Sequence, residues 1–145
     1  AWNISTDSSS SIIAVLDDGV DINHPDLASN TWVNLAECPG GFGTCIENGI
    51  DEDSNGYIDD FYGWDFWNDD NTVFDPSDGD YHGTHVTGTI AASGNNSVGV
   101  TGVNWQARVM ALKFLGPYGG YTSDAIAAIE YATDKGFSDL SHDAR

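Results

Sequence analysis

The chain has 145 residues, 40% of them hydrophobic, with 23 Asp and Glu against 4 Lys and Arg, giving a formal net charge of -19 at pH 7. That length supports one domain with a real core, and the apolar content excludes a disordered chain. The charge excludes nucleic acid and anionic membranes as partners, because both would repel the protein.

The first strong element is Ser11-Ile12-Ile13-Ala14-Val15-Leu16, a short continuous apolar run ending at Asp17-Asp18-Gly19. Such a run reads as a buried strand of a parallel sheet. Functional groups in open α/β folds lie beyond the carboxyl ends of such strands, which places Asp17 well for chemistry. Read alone, Asp17 is equally an ordinary turn residue. In His24-Pro25-Asp26-Leu27, Pro25 ends any regular element, His24 reads as structural, and Asp26 reads as a cap or a cation ligand.

A Gly-rich irregular stretch over 34–50 carries Cys38 and Cys45, the only cysteines. Its turn-rich interior makes a small disulfide loop feasible. Two free thiols are the plainer reading, and a zinc site lacks further ligands nearby. A disulfide would imply an oxidising compartment.

The acids crowd between 51 and 80, which favours cation binding there over a merely solvated, salt-adapted surface. In Asp51-Glu52-Asp53-Ser54-Asn55-Gly56-Tyr57-Ile58-Asp59-Asp60, oxygen ligands alternate before Gly at the sixth position, as at the start of an EF-hand-type calcium loop. Asp51, Asp53 and Asn55 would offer side chains, Tyr57 its carbonyl, and Asp59 or Asp60 would complete the set. The twelfth position is Tyr62 rather than Glu and no amphipathic helix flanks the loop, so it is a calcium loop without the EF-hand.

Phe61–Trp67 is aromatic and strand-like. A second acidic stretch, Asn68-Asp69-Asp70-Asn71-Thr72, precedes the loop to His82. His82-Gly83-Thr84-His85-Val86-Thr87-Gly88-Thr89-Ile90-Ala91-Ala92 is small-residue and nearly uncharged, and its two His share a helix face. Two satisfied core His and a catalytic His at the mouth of a helix are both open on that spacing. Residues 107–115 read as another strand. A helix capped by Thr122 or Ser123, with Asp124 in its first turn, then packs Ile126, Ile129 and the alanines between them on the sheet and stops at Gly136. The order is that of an α/β fold.

Asp17-Asp18-Gly19-Val20, His24-Pro25-Asp26-Leu27 and His82-Gly83-Thr84-His85-Val86-Thr87-Gly88-Thr89, in this order, resemble the subtilisin-like serine peptidases, the subtilases. The resemblance runs from Ala1 to about Gly136. Gly63-Trp64-Asp65-Phe66 and Asn95-Asn96-Ser97-Val98-Gly99-Val100 are similar to the secreted bacterial branch, whereas Asp-Asp-Gly is more typical of the kexin-like branch. The resemblance implies a three-layer α/β fold with a mainly parallel sheet, incomplete in this chain. Residues 1–136 would form a partial catalytic domain and 137–145 a divergent or truncated tail. It implies Asp17 as triad Asp, His82 as general base and His85 as structural.

Peptide hydrolysis in the family needs a serine hydroxyl activated by that base. The family's Gly-Thr-Ser motif and oxyanion-hole Asn do not occur here, so this chain alone is expected not to hydrolyse peptides. The resemblance also implies structural calcium at Asp26, Asn96 and the carbonyls of Ser93, Val98 and Val100, and a second site at Asp65, Asp70 and the Thr72 carbonyl, beside the Asp51 loop. Gly119, Gly120 and Tyr121 match an edge that pairs with extended peptide.

The leading expectation is thus an extracellular serine endopeptidase acting on polypeptides, as a monomer. A non-catalytic calcium-binding module of the same fold stands second. A plain acidic calcium-binding protein stands far behind, since it leaves the Asp and His motifs unexplained. No apolar run is long enough to span a bilayer, and Ala1-Trp2-Asn3-Ile4 reads as a mature start or a fragment, with signal and pro-segment elsewhere.

Overall fold

The computed structural model describes residues 2–142, with the side chains of 7–9 and 137–142 outside that description. Three strands form one sheet in the order β1-β3-β2: β1 (Asp7–Asp17), β2 (Gly63–Asp65) and β3 (Gln106–Lys113). Both pairings are parallel, and Asp17, Lys113 and Asp65 lie side by side at the carboxyl end of the sheet. Of the aromatic run from Phe61 to Trp67, only three residues become strand.

Side-chain alternation along the strands makes two apolar faces. On one, Ile13, Val15, Val109 and Ala111 meet Val86, Ile90 and Ala91 of α1 (His82–Ala91). On the other, Ile12, Ala14, Leu16, Met110 and Leu112 meet Ala128 and Tyr131 of α2 (Thr122–His142). The result is helix, sheet, helix: the expected three-layer α/β arrangement. Met110 and Leu112 are at most 1% exposed, so truncating either to Ala would cost about 2–5 kcal/mol.

Helix α1 turns Gly83, Thr87 and Ala91 inward, four residues apart, and leaves His82 and His85 on its exposed side, so they are not core histidines. Gly83 is where the helix touches the sheet. A Cβ there would stand 2.4 Å from the Gly19 carbonyl oxygen and 2.9 Å from Asp17 Cβ. The glycine therefore serves close approach, at the usual cost in helix propensity.

Three expectations for α2 are overturned. Ile126 and Ile129 are 52% and 56% exposed, and the inward face is Ala128, Tyr131 and Lys135. Ala128 packs into the core with Met110 and Leu112, and the Tyr131 hydroxyl donates to Asp60 Oδ2, in the acidic loop before β2, at 2.6 Å. Tertiary polar contacts thus set the helix rotation. Gly136 does not stop the helix, which continues to His142; no positive φ is found at Gly136, so the left-handed cap that would end a helix does not form. The helix also starts at Thr122 itself and the Tyr121 carbonyl accepts from the Asp124 and Ala125 amides, so Tyr121, and neither Thr122 nor Ser123, stands at the cap position. Of the expected 137–145 tail, residues 143–145 lie outside the described residues.

Cys38 and Cys45 are bonded as a disulfide, with 5.0 Å between their Cα atoms, and close the small loop.

Candidate active site

Strand β1 delivers Asp17 at its end, where the Asp17 carbonyl accepts from the Phe114 and Leu115 amides beyond β3 at 3.0 and 3.3 Å. Helix α1 begins with His82, whose Nδ1 lies 2.8 and 2.9 Å from the two Asp17 carboxylate oxygens. The Asp17 side chain is 12% exposed and that of His82 is 66% exposed. An ionised carboxylate only accepts, so Nδ1 carries the proton and Nε2 keeps its lone pair on the open side. The hydrogen bond to Asp17, then the Asp17 charge, raise the imidazole pKa above its ordinary value, with a smaller contribution from Asp18. The pair is a base held in one tautomer by a carboxylate.

Asp18 does a different task. Its Oδ1 accepts from the Gly83 amide at 2.7 Å and its Oδ2 from the His82 amide at 3.1 Å. Tyr81, the residue preceding α1, makes no side-chain cap bond of its own. The helix start is thus satisfied from another element, 64 residues away in sequence, which local capping patterns do not reveal.

Behind the pair lies a charge cluster. Lys113, 0% exposed, reaches Asp78 and Asp80 at 2.8 and 2.9 Å and Asp65 at 3.4 Å. Asp80 stands two residues before His82. Burial raises the Asp80 and Asp65 pKa values, while the Lys113 ammonium lowers that of Asp78. A lysine at the polar end of an apolar strand gave no sign of this role in the sequence.

The expected metal residues fall into three groups. In the first, Asp26 is 2% exposed and accepts from Asn96 Nδ2 at 2.7 Å and the Val100 amide at 2.9 Å, while its carbonyl accepts from the Ser93 amide. Val98 joins through its amide to Asn96 Oδ1. In the second, Asp65 and Asp70 pair through their backbones. Their carboxylates are engaged separately, Asp65 with Trp67, Asn68 and Lys113, and Asp70 with the Thr72 amide.

In the third, Asp51 accepts from the Asn55 and Gly56 amides. Asn55 and Asp60 turn toward each other, and Asp60 is held by Asn34, Asn55 and Tyr131. Tyr57 packs edge-on against Tyr131 and Trp64, while its amide donates to Asn55. Among the described residues, Glu37, Asp51 and Asp53 bring one oxygen each within 4.8 Å of one another, and the buried Asp53 Oδ1 has no hydrogen-bond partner. Asp53 also pairs with Lys135. Glu37, 5% exposed and 14 residues before Asp51, escaped the sequence reading because no spacing pattern connects it to the loop. Burial and a side-chain hydrogen bond to Glu52 push its carboxyl up to about 7.

Beyond β3, the backbones of Gly116 and Gly119 pair across a tight turn. Gly120 closes on the Phe114 carbonyl, which a Cβ would approach to 2.2 Å. Tyr121, 68% exposed, stacks on Trp67 with ring centroids 6.0 Å apart and planes at 12°. Trp67 is a further candidate wall of that edge.

The subtilase family profile matches residues 8–142. Subtilisin-like protease 1 of Plasmodium vivax is 41% identical over 124 residues, covering 85% of this chain and 18% of that protein. Its counterpart in Plasmodium berghei is 48% identical over 103 residues, covering 71% and 16%. Thermitase of Thermoactinomyces vulgaris is 34% identical over 142 residues, covering 97% of this chain and 39% of thermitase. The chain therefore spans less than a fifth of the two Plasmodium relatives and about two fifths of thermitase. The relatives come from Plasmodium and bacteria alike, so the likeness reaches the family rather than its secreted bacterial branch. No helix among the described residues is long and apolar enough to cross a membrane. With the two motifs folded into one Asp–His pair and the profile matched over 8–142, the chain belongs to the subtilase family.

Proposed function

We propose that this chain carries the Asp–His part of the catalytic centre of a serine endopeptidase acting on polypeptides. The observation that carries the reading is the hydrogen bond from His82 Nδ1 to Asp17, which leaves Nε2 facing solvent as a proton acceptor. His82 takes the proton of a serine hydroxyl and returns it to the leaving amine, while Asp17 holds the tautomer and stabilises the imidazolium. Gly119, Gly120 and Tyr121, with Trp67, form the edge on which an extended substrate lies.

Structural calcium belongs to the same reading. Glu37, Asp51 and Asp53 form a hard-oxygen set, and the partnerless Asp53 Oδ1 is the kind of atom a cation would satisfy. Asp26 with Asn96 offers a second place, its carboxylate now filled by amide donors. An extracellular setting is supported by the disulfide and by the relative from Xanthomonas campestris named an extracellular protease, 34% identical over 133 residues and covering 92% of this chain.

The test uses the full-length gene product. It should hydrolyse peptides and be labelled by a fluorophosphonate, and kcat should fall by on the order of 10⁴-fold in Asp17→Ala and on the order of 10⁶-fold in His82→Ala. Labelling that persists with full hydrolysis in both variants would sink the proposal. The 145-residue chain by itself should not be labelled.

A further inference from the structure

The Asp-Asp-Gly motif places a second carboxylate directly after Asp17, and the hydrolytic reading assigns it no task. Asp17 spends both oxygens on the imidazole, one of them also taking the Asp18 amide at 2.8 Å. Asp18 points to the backbone instead. Its two oxygens take one N–H each from the first two residues of α1, at 3.1 and 2.7 Å. The Tyr81 amide lies within 3.4 Å of the same carboxylate. These are charge-assisted bonds to the positive end of a helix, the strongest form of cap. A second tether runs alongside, from the Asp21 amide to Thr84 Oγ1 at 2.9 Å. Gly83, which leaves no room for a Cβ against Gly19 and Asp17, lets the helix start come this close.

Resting on the hydrolytic reading above, we infer that Asp18 is a positioning residue: by clamping the His82 and Gly83 amides it fixes the start of α1 on the end of β1 and so holds the imidazole on Asp17. The His82 side chain is 66% exposed, so beyond its bond to Asp17 the place of the imidazole depends on where the His82 backbone sits. A shift of about 1 Å at that backbone would cost roughly 100-fold in rate.

Asn at this position keeps one acceptor oxygen and can hold one of the two amides without the charge, whereas Ala holds neither. In the full-length gene product, Asp18→Ala should lower kcat about 10- to 100-fold with KM nearly unchanged, and Asp18→Asn should recover part of the loss. The low-field His82 Nδ1 proton resonance should broaden or vanish in Asp18→Ala and persist in Asp18→Asn. Unchanged kcat and resonance in Asp18→Ala, or equal losses in the two variants, would overturn the inference. If Asp18→Ala does not fold, amide exchange in the unaltered protein decides: slow exchange at His82 and Gly83 supports the clamp, and exchange at the rate of an open helix start refutes it. Failure of the hydrolytic reading looks different. There, Asp17→Ala and His82→Ala leave hydrolysis intact, while the proton resonance and the amide exchange still report on Asp18.

Discussion

Replacing Lys113 with Met tests the charge cluster under the Asp–His pair. Met matches the lysine stem in length, so packing changes little and the loss is the ammonium. Three carboxylates lose a partner, but unequally. Asp78 is 24% exposed and can turn to water. Asp65 keeps the Trp67 and Asn68 amides and the Asn68 side chain. Asp80, 4% exposed, keeps only the Asp75 amide on Oδ2, and its Oδ1 already has no partner. Breaking one side of a buried ion pair costs about 3–5 kcal/mol, and most of it should fall on Asp80.

That is a large share of the roughly 5–15 kcal/mol that a domain holds, and corresponds to a Tm drop of about 10 °C or more. The loss should depend on pH. Without Lys113 the folded-state pKa of Asp80 rises further above its unfolded value, so the variant loses stability as pH climbs from about 4 through that raised value. Lys113 itself, with its pKa raised by the carboxylates, is charged throughout this range. Urea unfolding followed by tryptophan fluorescence should therefore give a larger deficit at pH 7 than at pH 5, and Asp80→Asn in the Lys113→Met background should recover more than half of it. A deficit under about 1 kcal/mol at pH 7, or one indifferent to pH and to Asp80→Asn, would refute the reasoning.

Three further outcomes are expected. The His82 imidazole should titrate above 6.5 by NMR, and Asp17→Asn should bring it down; since a raised imidazole pKa lends stability that is lost as pH rises through it, the Asp17→Asn penalty should be larger at pH 5 than at pH 9. In chelator, the folded Glu37 carboxyl keeps its proton up to about 7 while the unfolded one releases it near 4.5, so stability should fall between those pH values; calcium, binding only the carboxylate, should flatten that slope, and Glu37→Gln should weaken calcium binding by about tenfold or more in calorimetry. Reducing the disulfide between Cys38 and Cys45, seven positions apart, should cost about 2.5 kcal/mol of stability from loop closure alone, read by denaturant unfolding with and without reductant.

The sequence by itself determined the elements whose signals are local. Two apolar runs became β1 and β3, and a Gly-rich small-residue run became α1, because strand and helix periods are written in neighbouring residues. The ordered pair of Asp and His motifs pointed to Asp17 and His82, which the fold brings to 2.8 Å. Only the tertiary structure decided what depends on partners far along the chain. Asp18 caps a helix 64 residues on, Lys113 gathers three acids, from β2 and from the loop before α1, and Glu37 joins a loop 14 residues away. Tyr131 and Lys135, drawn to the acidic loop, turn α2 so that Ile126 and Ile129 face outward. For Lys113, Glu37, Tyr131 and Lys135 a buried charge or hydroxyl needs a partner more than the chain needs local regularity. The energy of that pairing is set by distance in space, for which sequence spacing is no measure.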